Sequence, residues 1–192
     1  RPDAFLPDLA GSLNNLSVFL SDLGRREEAL TASEEAVAIY RSLAATRPDA
    51  FQPDLAMSLN NLSGRFSDLG RREEALTASE EAVEIYRSLA ATRPDVFLPN
   101  LAKSLGTLSQ VHTVLDRHAD AAQVIAEAMM LLTPFVRQLP QAFAPLAMVL
   151  IRDYTDACQA AATEPGQAAY GPLNEILQPF LSATASVPTD GA

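Results

Sequence analysis

One cysteine, Cys158, stands in 192 residues. A lone thiol excludes an internal disulfide and a cysteine-rich zinc site, and it fits a reducing, cytoplasmic setting. Basic charge is also scarce. Fourteen Lys and Arg face 24 Asp and Glu, for a net charge of −10. Without a basic footprint to neutralise phosphates, nucleic acid is a poorly matched partner, and so is an anionic membrane surface. Long apolar runs are missing. The uncharged stretch 138–151 is interrupted by Pro140 and Pro145, so no membrane-spanning helix is expected. No glycine-rich phosphate loop and no signal-peptide pattern occur. The basic residues are 13 Arg against one Lys, a bias that suggests a GC-rich bacterial genome. The chain starts at Arg1, inside a repeated motif, and reads as a piece of a longer protein.

What is present is repetition. "RPDAFLPDLA" at Arg1 returns as "RPDAFQPDLA" at Arg47, "RPDVFLPNLA" at Arg93 and a worn "LPQAFAPLA" at Leu139. Residues 1–46 and 47–92 differ at Leu6/Gln52, Gly11/Met57, Val18/Gly64, Phe19/Arg65, Leu20/Phe66 and Ala38/Glu84. Residues 93–138 form a diverged third copy and 139–184 a degenerate fourth, leaving 185–192 as a flexible tail. A fixed period in the 20–50 range marks a solenoid. The expected architecture is one all-α domain over 1–184, an α-solenoid of stacked antiparallel helix pairs with a 46-residue period.

Each copy reads as two helices. Leu9, Leu13, Leu16, Leu20 and Leu23 recur at helical spacing and predict one apolar face. Pro7 and Asp8 suit a first turn, and Gly24 supplies the left-handed residue that ends it. A second helix is expected from about Arg26 to Ala45, with Ala29, Leu30, Ala36, Val37, Tyr40 and Leu43 inward and Pro48 stopping it. The decapeptide then reads as a joint: its first proline closes one pair and its second opens the next. Phe5, Phe51, Phe97 and Phe143 are expected to plug the seams. Pro134 should kink or end the third pair's second helix, and the last helix should break near Pro172 and Pro179. The atypical last repeat is expected to cap the stack.

Ala10, Leu13, Asn15, Leu16, Ser17, Leu20, Gly24, Ala29, Ala36 and Val37 fall at the signature spacing of the tetratricopeptide repeat. "PDLAGSLNNL" and "PDLAMSLNNL" resemble the variant found in kinesin light chain and related bacterial arrays. The resemblance is strong over 7–45 and 53–91 and moderate over 99–132. It implies a right-handed superhelix whose concave face is lined by the first helix of each pair. Ser17, Ser63 and Ser109 stand where the family has a small glycine, and Arg41 and Arg87 where it has a terminating proline.

The resemblance implies a concave groove lined by Asn14, Asn15, Val18, Met57, Asn60, Asn61, Lys103 and Gln110, with Gly106 among its outward-facing positions. Amides both donate and accept, so Asn15 and Asn61 suit an extended peptide backbone. Met57, Val18 and Phe66 would add apolar pockets, and Asp22 and Asp68 at the edge would favour neutral or basic segments. The expected function is a non-catalytic interaction module for a peptide or protein segment, with no cofactor. The alternative is a structural or sensor arm of a larger bacterial signalling protein that packs on its own chain or self-associates; near-identical copies leave room for register errors and a swapped homodimer. His112 with Asp116 and His118 with Asp120 lack a third ligand at metal spacing and read as a solvated helix end. Cys158 has small apolar neighbours and reads as buried. Glu27/Glu28, Glu34/Glu35, Glu73/Glu74 and Glu80/Glu81 repeat with the scaffold and read as a solvated convex face, with Arg41 and Arg87 pairing near them between turns.

Overall fold

The structure is a computed structural model and describes residues 5–184, with side chains to Gln178; the tail expected over 185–192 lies outside the described residues. Eight helices follow in order among them: α1 (Leu6–Asp22), α2 (Arg26–Thr46), α3 (Pro48–Asp68), α4 (Arg72–Thr92), α5 (Pro94–Val114), α6 (His118–Gln138), α7 (Pro140–Ala160) and α8 (Gln167–Thr184). The period is kept in three dimensions: α3, α5 and α7 all open on the first proline of a decapeptide.

That placement corrects the expected joint. In the second, third and fourth decapeptides both prolines lie in one helix. Pro48 occupies the first turn, where its missing N–H would be unbonded anyway. Pro53 sits inside the helix, close enough to its start that only one backbone bond is given up. The pair boundary is the residue before the first proline. Arg47, Arg93 and Leu139 have φ/ψ of −139°/72°, −136°/72° and −135°/66°, values pushed away from the helical region by the proline that follows. Pro134 likewise stays inside α6, which runs on to Gln138, and Pro172 stays inside α8.

Helix A of each pair ends at a left-handed residue. Gly24 and Gly70 have φ of 75° and 72°, as expected. The same place in the third and fourth units is held by Asp116 (φ 59°) and Ala162 (φ 53°). Between helices, alanine sets the spacing. Ala10, Ala56 and Ala102, with Ala29, Ala75 and Ala121, and Ala36, Ala82 and Ala128, are all fully buried, which lets backbones approach closely. Ser63 and Ser109 donate from Oγ to the carbonyls of Ala75 (2.9 Å) and Ala121 (3.0 Å), tying A to B within a pair. Their small size explains why serine serves where the family has glycine.

Consecutive helices pack along the whole chain, and α1, α3, α5 and α7 also approach one another. The corresponding B helices α2, α4 and α6 reach across units through long side chains: Arg41 donates to Glu81 (2.6 Å) and Arg87 to Glu127 (2.9 Å). Closer approach on the A side than on the B side curves the stack, with A helices inside. The fourth pair departs from the pattern, because α8 packs on α6 as well as α7, burying Leu173 and Leu177 completely. By length and composition α6 could cross a membrane, yet it lies between α5, α7 and α8 with Ile125, Met129 and Leu132 sealed in the core.

The phenylalanine plugs behave according to what precedes them. Phe51 and Phe97 are 9% and 6% exposed, and Phe143 is half-buried. Phe5 is 69% exposed, because no helix pair lies before α1 in the described residues. The expected leucine face of α1 is open for the same reason: Leu9, Leu16 and Leu23 are exposed, while their counterparts Leu55 and Leu62 are buried against α2. Phe97→Ala should therefore cost about 3–5 kcal/mol and Phe5→Ala well under half of that, as measured by urea denaturation. Ala162→Gly should raise stability by about 1 kcal/mol by removing the left-handed alanine, read as a higher thermal midpoint.

Candidate functional site

The inner face is built from the A helices, and its side chains follow the 46-residue register. The second and third units place Met57, Asn60, Asn61, Tyr86, Asn100, Lys103 and Thr107 around one hollow of about 140 Å³. Four of the expected groove residues, Met57, Asn60, Asn61 and Lys103, are thus brought together. Tyr86, from helix B, was not expected there; it donates to the Pro53 carbonyl (3.2 Å), and Asn100 hydrogen-bonds its hydroxyl. Its inward position in the helix-B stripe is the signal that could have found it. Burial pushes the Tyr86 hydroxyl above its ordinary pKa. Asp54 stands one unit before Asn100, and burial pushes its carboxyl up as well.

Polar groups in the hollow are partly committed. Asn60 Oδ1 accepts from Ser104 Oγ (3.0 Å), leaving its amide nitrogen. The Asn61 side chain has no hydrogen-bond partner among the described residues, and the Lys103 ammonium has neither a hydrogen bond nor an ion pair among them. A free amide beside a free ammonium, with Met57 exposed next to them, can meet a backbone, an acceptor and an apolar side chain together.

Other expected groove positions resolve differently. Asn14 is only 3% exposed and donates to Ser58 Oγ (2.6 Å) across the α1–α3 seam. It is a seam residue, buried and held there by that bond. Gly106 holds the same place in the third unit and lies under Leu150, so it too belongs to the seam. Asn15 and Val18 are exposed on α1, outside the hollow. Gln110 lines a separate hollow of about 500 Å³ between α5 and α7, and donates to Asp153 (3.1 Å). Phe66 is buried away from this hollow, at a second one lined by Val37, Arg41 and Glu81, and the Arg71 guanidinium covers its ring at 4.5 Å. Asp68 is engaged by Ser21 (2.9 Å) and Arg65 (3.4 Å), so it is not a free edge charge. Of the differences between the first two copies, Gly11/Met57 falls in the hollow, while Arg65 bonds the Ser17 carbonyl (3.3 Å) and serves the seam.

No group of three His, Cys, Asp or Glu is placed to hold a metal among the described residues. Cys158 is buried, and the nearby Tyr154 hydroxyl is pushed up by burial while accepting from the Gly166 N–H (2.9 Å). The histidines are less solvated than expected: Nδ1 of both His112 and His118 is buried without a partner. Burial lowers the His112 pKa below its ordinary 6.5, against the opposing pull of Asp120 and Glu80, and Arg117 lowers it further. The unfolded chain then binds this proton at higher pH than the native one. The associated stability is full above about pH 6.5 and is lost as pH falls through that value toward the depressed native pKa. His112→Gln should shrink the difference in urea midpoint between pH 7 and pH 5.

A curved stack of paired helices with a polar inner face is the architecture of tetratricopeptide-repeat arrays. Residues 8–88 match the family model described as tetratricopeptide repeat. The fold is that of kinesin-light-chain-like members. It superposes on BtubC (BKLC) from P. vanneervenii with a TM-score of 0.67 at 18% identity, covering 97% of this chain and 69% of that one. A Podosopora anserina kinesin light chain with nearly identical TPR-like repeats gives 0.65 at 16% identity, covering 100% and 80%. Comparison with curated proteins finds no sequence match.

Proposed function

We propose that the concave face of this array binds an extended peptide or protein segment, without catalysis, at the hollow between the second and third units. The observation that carries this reading is the convergence of Met57, Asn61 and Lys103, each without a polar commitment elsewhere, on one concavity. Asn61 would pair with the segment's backbone, Met57 would take an apolar side chain, and Lys103 would meet a carbonyl or carboxylate. Arg65 is committed to the Ser17 carbonyl and Asp68, and Arg152 to Asp153, so Lys103 sets the local charge preference of an otherwise acidic molecule. The rigidity of stacked units keeps the groove formed before binding, which lowers the ordering cost.

A second reading, assembly through helix stacking, rests on the open face of α1. Phe5, Leu9, Leu16, Phe19 and Leu23 are exposed there, on the side that α3 buries against α2. That face is shaped for another helix of the α2 kind.

A fluorescence-polarisation screen of extended peptides tests the first reading. The triple variant Met57→Ala/Asn61→Ala/Lys103→Ala, all surface positions, should keep its helical circular dichroism and lose binding by more than about tenfold, given the usual worth of a few desolvated contacts. Undiminished binding by the triple variant would place the site elsewhere.

A further inference from the structure

The third joint differs from the first two in one respect that leaves a ring uncovered. At the first joint, the Arg47 guanidinium lies 4.6 Å from the ring centre of Phe51. At the second, Arg93 lies 4.7 Å from that of Phe97. Both rings are buried. At the third joint the arginine's place is taken by Leu139, which is 61% exposed, and Phe143 is only half-buried. The backbone is the same: Leu139 has φ/ψ within a few degrees of Arg93. The joint therefore keeps its geometry and lacks its cation.

The surroundings have changed with it. Beside Phe143 lies a hollow of about 590 Å³, lined among others by Asp95, Val96, Leu98, Phe135 and Leu139. In the preceding unit the corresponding places hold Asp49, Ala50, Gln52, Leu89 and Arg93. Polar or small residues have become apolar, and a buried leucine has become a half-buried phenylalanine. Phe135 meets Phe143 edge-on, with ring centres 5.7 Å apart. The lining contains one carboxylate, Asp95, and no basic side chain. Asp95 forms no ion pair among the described residues.

We infer that this hollow, formed by the start of α5, the end of α6 and the start of α7, is a docking site for a peptide segment carrying an arginine among apolar residues. The guanidinium would stack on Phe143 where its ring lines the hollow, in the place that Arg47 and Arg93 fill at the other joints. Asp95 would balance its charge, and Val96, Leu98 and Leu139 would bury its flanking side chains. An aromatic face and a carboxylate at one apolar site select a flat, weakly hydrated cation over an ammonium and reject an anion. The inference does not rest on the inner-face reading, since it uses other residues and a different ligand charge.

The test uses a blocked, labelled pentapeptide with arginine flanked by leucines, and the same peptide with glutamate or leucine in place of arginine. Binding is read by fluorescence polarisation to the full chain. The arginine peptide should bind and the other two should not. Leu139→Arg supplies the cation from within, so it should weaken binding by about tenfold or more, as should Asp95→Asn, in line with the strength of a desolvated cation–π contact beside a carboxylate. Leu139→Arg restores the arrangement of the other joints and should unfold no earlier than wild type. The Met57/Asn61/Lys103 triple variant should bind the arginine peptide as wild type does. Equal binding of the leucine peptide, binding undisturbed by Leu139→Arg, or no binding of the arginine peptide at millimolar concentration would each overturn the inference. Sedimentation velocity covers the remaining occupant. A wild-type dimer that Leu139→Arg disperses would assign the hollow to a second copy of the chain and overturn the peptide.

Discussion

The array depends on one backbone constraint, the steric restriction that a proline places on the residue before it. Arg47, Arg93 and Leu139 are held at nearly identical angles, so each B helix hands over to the next A helix with the same turn. Everything that recurs every 46 residues in space follows from that repeated angle. The fully buried alanines stack in register because of it. The arginine–phenylalanine contacts at the first two joints reinforce it with a cation lying on the ring, just outside the seam that the ring fills. The constraint tolerates the loss of the arginine at the third joint, where the angle survives with a leucine in the same place.

Above that frame, the seams between A helices change character along the array. Between the first and second units Asn14 donates to Ser58, and between the second and third Asn60 accepts from Ser104. Between the third and fourth units Gly106 faces Leu150 instead. A polar seam becomes an apolar one. Hydrogen-bonded seams fix register across the first three units. Shape does the same work at the last seam, because a glycine opposite a leucine fits in one register.

The fold was legible because its signals are periodic. The leucine and alanine spacings, Gly24 with Gly70, and the second helix from Arg26 all matched what the chain does. The joint was misread for a physical reason. Proline is tolerated inside the first turns of a helix, so two prolines five residues apart marked one helix start rather than an end and a start. The groove was legible in part. Met57, Asn61 and Lys103 meet, because surface positions at helical spacing on adjacent A helices must converge. Asn14 and Gly106 do not join them, although they hold the register of Asn60, which lines the hollow and bonds across a seam at once; periodicity alone does not separate the two roles. Tyr40, the counterpart of Tyr86 in the first copy, was placed in the core stripe, yet the Tyr86 hydroxyl reaches the inner face; a long side chain with a polar tip serves both.

The two ends of the stack are unlike. At one end α1 turns an apolar face outward; at the other, α8 leaves the regular pairing and lies over α6 and α7. The described stack is therefore asymmetric along its axis, in the sense that a filament is: its two end surfaces differ, so a helix that fits one does not fit the other, and each groove position stands at its own number of units from α8.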